Sequence, residues 1–132
     1  MPENLPTVFV VDDEQLIADT LTLILQKNGF SARAFTDPRE ALRAALIERP
    51  ALLVSDVLMA ELSGVDLAIA IRQMCPDCKV LLISGHAETT GYLDRARERG
   101  HDFYLLSKPV HPTVLLEHIR QQDHTWVLST TR

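Results

Sequence analysis

Three aspartates, a serine and a lysine stand at the ends of four apolar runs. Asp12 and Asp13 follow TVFVV (7–11), Asp56 follows ALLVS (51–55), Ser84 follows KVLLI (79–83), and Lys108-Pro109 follows FYLLS (103–107). Short apolar runs of this kind predict buried strands of a parallel sheet. Parallel sheets carry their ligands at the carboxyl ends of the strands, so these five residues are expected in one crevice. Three carboxylates, a hydroxyl and an ammonium make an acidic pocket suited to a divalent cation and a phosphoryl group. Without a cation the carboxylates repel one another, and some stay protonated or splay apart.

The elements that must position them alternate along the chain, as in βαβ units. After the first strand, Ile17, Leu21, Ile24 and Leu25 recur at helical spacing, and Gly29 supplies a stop. Residues 31–35 (SARAF) form the most polar strand and are placed at a sheet edge. Asp37, Pro38 and Glu40 supply an N-cap, a first-turn proline and a capping-box acid, and the helix they open is expected to bury Leu42, Ala45 and Leu46. A third helix starts at Ser63–Asp66 with Leu67, Ile71 and Met74 inward. The fourth, near Glu88 to Arg99, is the weakest, with Tyr92, Leu93 and Ala96 to bury. The fifth opens at Pro112 and packs Leu115, Leu116 and Ile119.

Five βα units with right-handed crossovers give a flavodoxin-like (βα)5 α/β three-layer sandwich with a parallel sheet in the order 2-1-3-4-5. That order makes Asp13 and Asp56 neighbours. Residues 7–123 form the domain, with 1–6 and 124–132 as tails. Met1 and the unpatterned tail favour a complete chain.

Composition excludes several classes. The 132 residues are 46% apolar and 23% charged, and a net charge of -5 argues against direct nucleic-acid binding. No apolar stretch approaches the roughly 18 residues of a membrane span, and the N-terminus lacks a signal-peptide pattern; a cytoplasmic location is expected. Cys75 and Cys78 have redox spacing, but they follow a helix instead of opening one, so a helix-to-strand turn is preferred. The five histidines show no ligand spacing. His86, two residues beyond Ser84, is the exception by position.

Taken together, VVDDE (10–14), SDVLM (55–59), Gly64, Ile83-Ser84-Gly85 and Lys108-Pro109-Val110 resemble the receiver domain of two-component response regulators from Thr7 to about Gln122. The resemblance implies that Asp56 accepts a phosphoryl group from a sensor histidine kinase or phosphotransfer protein. It implies Mg²⁺, or Mn²⁺, held by Asp13, Asp56 and the Leu58 backbone carbonyl, with Asp12 acting mostly through water. Lys108 would meet the phosphoryl oxygens, and Ser84 would hydrogen-bond them and move when they arrive. Pro109 follows a step that is cis in the family. His86 and Leu58 are placed to tune water access to the acyl phosphate. The output face would combine the fourth helix, fifth strand and fifth helix, with Tyr92, Phe103, Tyr104 and Leu105 contacting an unknown downstream protein. Monomers or a weak phosphorylation-dependent dimer are expected, with no external substrate beyond self-phosphorylation and autodephosphorylation.

Two departures stand out. Ala60 replaces the proline that usually follows the methionine. The aromatic usually found three residues before the lysine is absent: Leu105 holds that place and Tyr104 stands one earlier. Either a bulge restores the register, or no aromatic acts as the switch. The competing classes are a constitutive pseudo-receiver, a fragment of a larger regulator, and a phosphatase or flavin enzyme on the same fold. The last is disfavoured by the lack of a P-loop or a Cys-x₅-Arg motif.

Overall fold

In the computed structural model, residues 5–85, 90–101 and 103–122 are described. Five strands and five helices alternate: β1 (Thr7–Val11), α1 (Gln15–Gln26), β2 (Ser31–Phe35), α2 (Pro38–Ile47), β3 (Leu52–Asp56), α3 (Gly64–Met74), β4 (Lys79–Ser84), α4 (Thr90–Glu98), β5 (Tyr104–Ser107) and α5 (Pro112–Gln122). The strands form one parallel sheet in the order β2-β1-β3-β4-β5. The polar strand is at an edge, as its alternation requires. Among the described residues no helix is long and apolar enough to cross a membrane.

Each face of the sheet builds its own core, because successive strand residues point to opposite sides. Phe9, Leu53, Leu82 and Phe103 pack with Ala41, Leu67, Ile71 and Ala96 beneath α2, α3 and α4. Val8, Val10, Val54, Leu81, Ile83 and Leu106 pack with Leu21, Leu25, Leu115 and Ile119 beneath α1 and α5. Each of the fully buried large aliphatic or aromatic side chains contributes about 1.5–3 kcal/mol over its exposed state. The three central strands are therefore fixed from both sides.

Helix starts follow their caps. Asp37 accepts a hydrogen bond from the Arg39 N–H at 2.9 Å, with Pro38 in the first turn. Ser63 accepts one from the Asp66 N–H at 3.0 Å. At α1 the carboxylate of Asp12 accepts from the Glu14 N–H at 2.9 Å. The CPDC segment is the expected turn: Cys75 caps α3, the Cys78 N–H donates to the Cys75 carbonyl, and both thiols are buried.

Three expectations are corrected. Leu46 is 73% exposed and does not face the core; α2 buries Ala41 and Ala45 instead, with Leu42 partly covered. That helix turns a narrower apolar face to the sheet than its leucines suggest. Phe103 is no surface contact, since it is buried between the Arg72 guanidinium (4.9 Å from the ring centroid) and the His101 ring (5.5 Å). The strand boundaries also shift by one: β3 and β4 include Asp56 and Ser84, while β5 starts at Tyr104.

The register of β5 shows which face each residue near the missing aromatic takes. Tyr104, Leu105, Leu106 and Ser107 pair one for one with Leu81, Leu82, Ile83 and Ser84, so no bulge intervenes. Leu105 therefore shares the α3/α4 face with Phe103, and Tyr104 shares the opposite face with Leu106. Tyr104 is 53% exposed.

Candidate functional site

The carboxyl ends of β1, β3, β4 and β5 converge because the sheet order leaves them adjacent. Val11 pairs with Ser55 across β1 and β3, and Ser84 pairs with Ser107 across β4 and β5. Two backbone hydrogen bonds lock the rim: Val57 N–H to the Ile83 carbonyl at 3.0 Å, and Lys108 N–H to the Ser84 carbonyl at 2.9 Å. The Lys108-Pro109 peptide bond is cis.

Asp12, Asp13 and Asp56 each offer a carboxylate oxygen within 4.8 Å of the others; Asp12 and Asp56 are buried and Asp13 is exposed. The Lys108 ammonium stands 3.0 Å from Asp12 Oδ2, 3.4 Å from Asp56 Oδ2 and 3.9 Å from Glu14 Oε1. Burial raises the Asp56 carboxyl above the usual range, the charge of Asp12 adds to that, and Lys108 opposes it. Burial alone would lower the Lys108 ammonium. Its hydrogen bond and charge interaction with Asp12, reinforced by Asp56, win and raise it, so it stays a cation among three acids.

Asp12 divides its work. One oxygen caps the turn into α1, while Oδ2 is buried and faces the Lys108 ammonium at 3.0 Å. One ammonium shared by two buried carboxylates leaves negative charge that is costly unless a further cation or water serves it. The three oxygens lie close enough together that a small divalent cation could be held among them. The donor set, all hard oxygen, is of the right chemistry.

The loop after β3 is built around a close backbone approach. A Cβ on Gly64 would collide with the Asp56 carbonyl oxygen, and the Gly64 N–H donates to the Val57 carbonyl at 2.7 Å. Leu58, Met59 and Leu62 pack partly against the α2/α3/α4 core. The Leu58 side chain, two residues after Asp56, is thus held in apolar contacts.

Asp12, Asp13, Asp56 and Lys108 are therefore brought together, and Ser84 ends the adjacent strand, buried. His86 lies outside the described residues. Two features were not legible in the motifs: the nearness of Glu14 to Lys108, and the shared pairing of Lys108 with Asp12 as its closest acid. The run Asp12-Asp13-Glu14 was the available signal for both.

Residues 8–120 match the family described as response regulator receiver domain. The phosphoglycerate transport system transcriptional regulatory protein PgtA of Salmonella typhimurium is 33% identical over 110 residues, which cover 83% of this chain and 26% of PgtA. The transcriptional regulatory protein PrrA of Mycobacterium tuberculosis is 37% identical over 114 residues, 85% of this chain and 46% of PrrA. This chain spans between 21% and 57% of the length of these and similar curated relatives. A response regulator receiver domain protein from Clostridium thermocellum superposes with a TM-score of 0.81 at 25% identity, covering 94% of this chain and 98% of that one.

Proposed function

The chain belongs to the response regulator receiver domain family, and on that premise we propose that Asp56 is its phosphoacceptor in a Mg²⁺-dependent reaction. A carboxylate oxygen of Asp56 attacks the phosphorus of a phosphohistidine on a sensor kinase or phosphotransfer protein. The P–N bond breaks, the imidazole keeps the electron pair and takes up a proton, and a mixed anhydride forms on Asp56. Asp13, Asp56 and the Leu58 carbonyl would hold the cation, with Asp12 behind them. Bound Mg²⁺ would offset the carboxylates and the incoming phosphoryl oxygens and align them for in-line attack. Lys108 already stands between Asp12 and Asp56 as a cation, within reach of an oxygen that arrives on Asp56. Ser84 would donate its hydroxyl to that phosphoryl group.

The added charge of about -1.5 to -2 would then be read through Ser84 and the segment leading to α4. The surface formed by α4, β5 and α5 would pass it to a downstream protein, and Leu105, not an aromatic, holds the position facing α4. We read the domain as residues 7–123, a phosphorylation-controlled binding module without nucleic-acid contacts of its own.

The observation that carries this reading is the convergence of three carboxylates and one ammonium from three separate strand ends. Beryllofluoride, which mimics a phosphoryl group on a carboxylate, tests it. Amide spectra of the wild type with Mg²⁺ and beryllofluoride are expected to shift around residues 84 and 104–108. Asp56→Asn is expected to give no such shift; equal shifts in both would exclude Asp56 as the acceptor.

A further inference from the structure

Beside the acidic trio lies a depression of about 260 Å³, walled by Asp13, Arg39, Met59, Ala60 and Glu61 among others. It separates the start of α2 from the loop that follows Asp56. Arg39 bridges the two sides. Its Nε and Nη2 donate to Asp37 Oδ1 and Oδ2 at 3.2 Å each, a two-pronged pairing, while Nη1 stands 3.7 Å from Glu61 Oε1. Asp37 is itself fixed, because it also caps α2 through the Arg39 N–H.

An isolated exposed ion pair contributes little, since two long side chains must be ordered to make it. Here the planar guanidinium is already oriented by the fork with Asp37, so much of that ordering is complete before Glu61 is engaged. The other side of the bridge is the 57–63 loop. Its backbone carries the Leu58 carbonyl, and Ala60 leaves φ unrestricted where a proline would fix it.

We infer that Arg39 is a positioning residue for the cation site: clamped by Asp37, it holds Glu61 and so fixes the loop that presents the Leu58 carbonyl beside Asp13 and Asp56. The inference rests on the proposed Mg²⁺ site and adds the residues that set its preorganisation. Neither Arg39 nor Glu61 touches the cation.

The sign of the effect separates this from simple electrostatics. Removing a nearby positive charge would tighten Mg²⁺ binding by Coulomb's law alone, whereas losing a positioning tie weakens it. Calorimetric Mg²⁺ titrations of the full chain are informative for the wild type, Arg39→Ala, Arg39→Lys, Glu61→Gln and the Arg39→Ala/Glu61→Gln pair. Arg39→Ala and Glu61→Gln are each expected to weaken Mg²⁺ binding about two- to fivefold, the range of a network ion pair. The double variant is expected to be no weaker than the single variants. Arg39→Lys, which keeps the charge but loses the fork, is expected to fall between wild type and Arg39→Ala. Affinity equal to or tighter than wild type in Arg39→Ala, or independent losses that multiply in the double variant, would overturn the tie alone. A wild type that binds no Mg²⁺ would overturn the site and the tie together.

Discussion

At the scale of single residues, the site is a balance between like and unlike charges in a partly dry setting. Asp56 and Asp12 are buried close together and share one ammonium, so a metal-free pocket carries more negative charge than Lys108 can offset. Removing a partner from a buried pair usually destabilises, but here Asp12 would keep Lys108 to itself. Asp56→Asn is therefore expected to raise the thermal midpoint in chelator by a few degrees, the size of about 1 kcal/mol in a domain of this length. The gap should close as Mg²⁺ is added, because the cation stabilises the wild type through its own ligands. An unchanged or lower midpoint would contradict this charge balance. A second residue-scale consequence concerns Cys78. Burial, aided by the neighbouring Cys75, pushes its thiol from 9.0 up to about 12, so the native thiol holds its proton at neutral pH. Between about pH 9 and 12 the unfolded chain releases a proton that the folded chain keeps, so stability is lost as pH rises through that window. Alkylation of Cys78 by iodoacetamide at pH 8 is expected to be at least about tenfold slower in the native than in the unfolded protein. Equal rates would show the thiol to be accessible and ionised.

At the scale of elements, what matters is where a backbone must come close and which face a strand turns. Gly64 opens α3 against the Asp56 carbonyl, and any side chain there meets backbone that cannot rotate away. Gly64→Ala is expected to cost about 1–3 kcal/mol in urea unfolding, the range for overpacking, and to slow phosphorylation because the segment that shifts carries Asp56. Wild-type stability together with wild-type labelling would mean the approach is not required. The sequence shows this glycine's spacing from Asp56 but not the reason for it, since two residues eight apart meet only once the loop has closed. Helix faces were legible where apolar residues kept strict spacing, as with Leu21 and Leu25 or Leu115 and Ile119. They were misread at Leu46, because a helix flanked by α3 and an edge strand buries Pro38, Ala41 and Ala45 and only partly covers Leu42, and Ile47 beside Leu46 is 91% exposed. Phe103 was misplaced for a related reason. One residue of phase decides which face a side chain takes, and the start of β5 could not be phased from the chain alone.

At the scale of the whole molecule, the strand order does the assembling. A sheet running β2-β1-β3-β4-β5 places the ends of β1 and β3 side by side, and this follows from alternating elements and right-handed crossovers without any knowledge of side-chain packing. The acidic trio and Lys108 were legible for that reason: each closes an apolar run, and only one end of a parallel sheet gathers them. Secondary ties such as Arg39 with Glu61 were not legible, because surface charges have no periodicity to betray a partner. The central claim is that these convergent groups make Asp56, and no other residue, a magnesium-dependent phosphoryl acceptor. Intact-mass measurement after incubation with acetyl phosphate tests it most directly. The prediction is a single phosphoryl adduct on the wild type with Mg²⁺, lost with chelator and absent in Asp56→Asn; an undiminished adduct in Asp56→Asn, or none on the magnesium-loaded wild type, would contradict it.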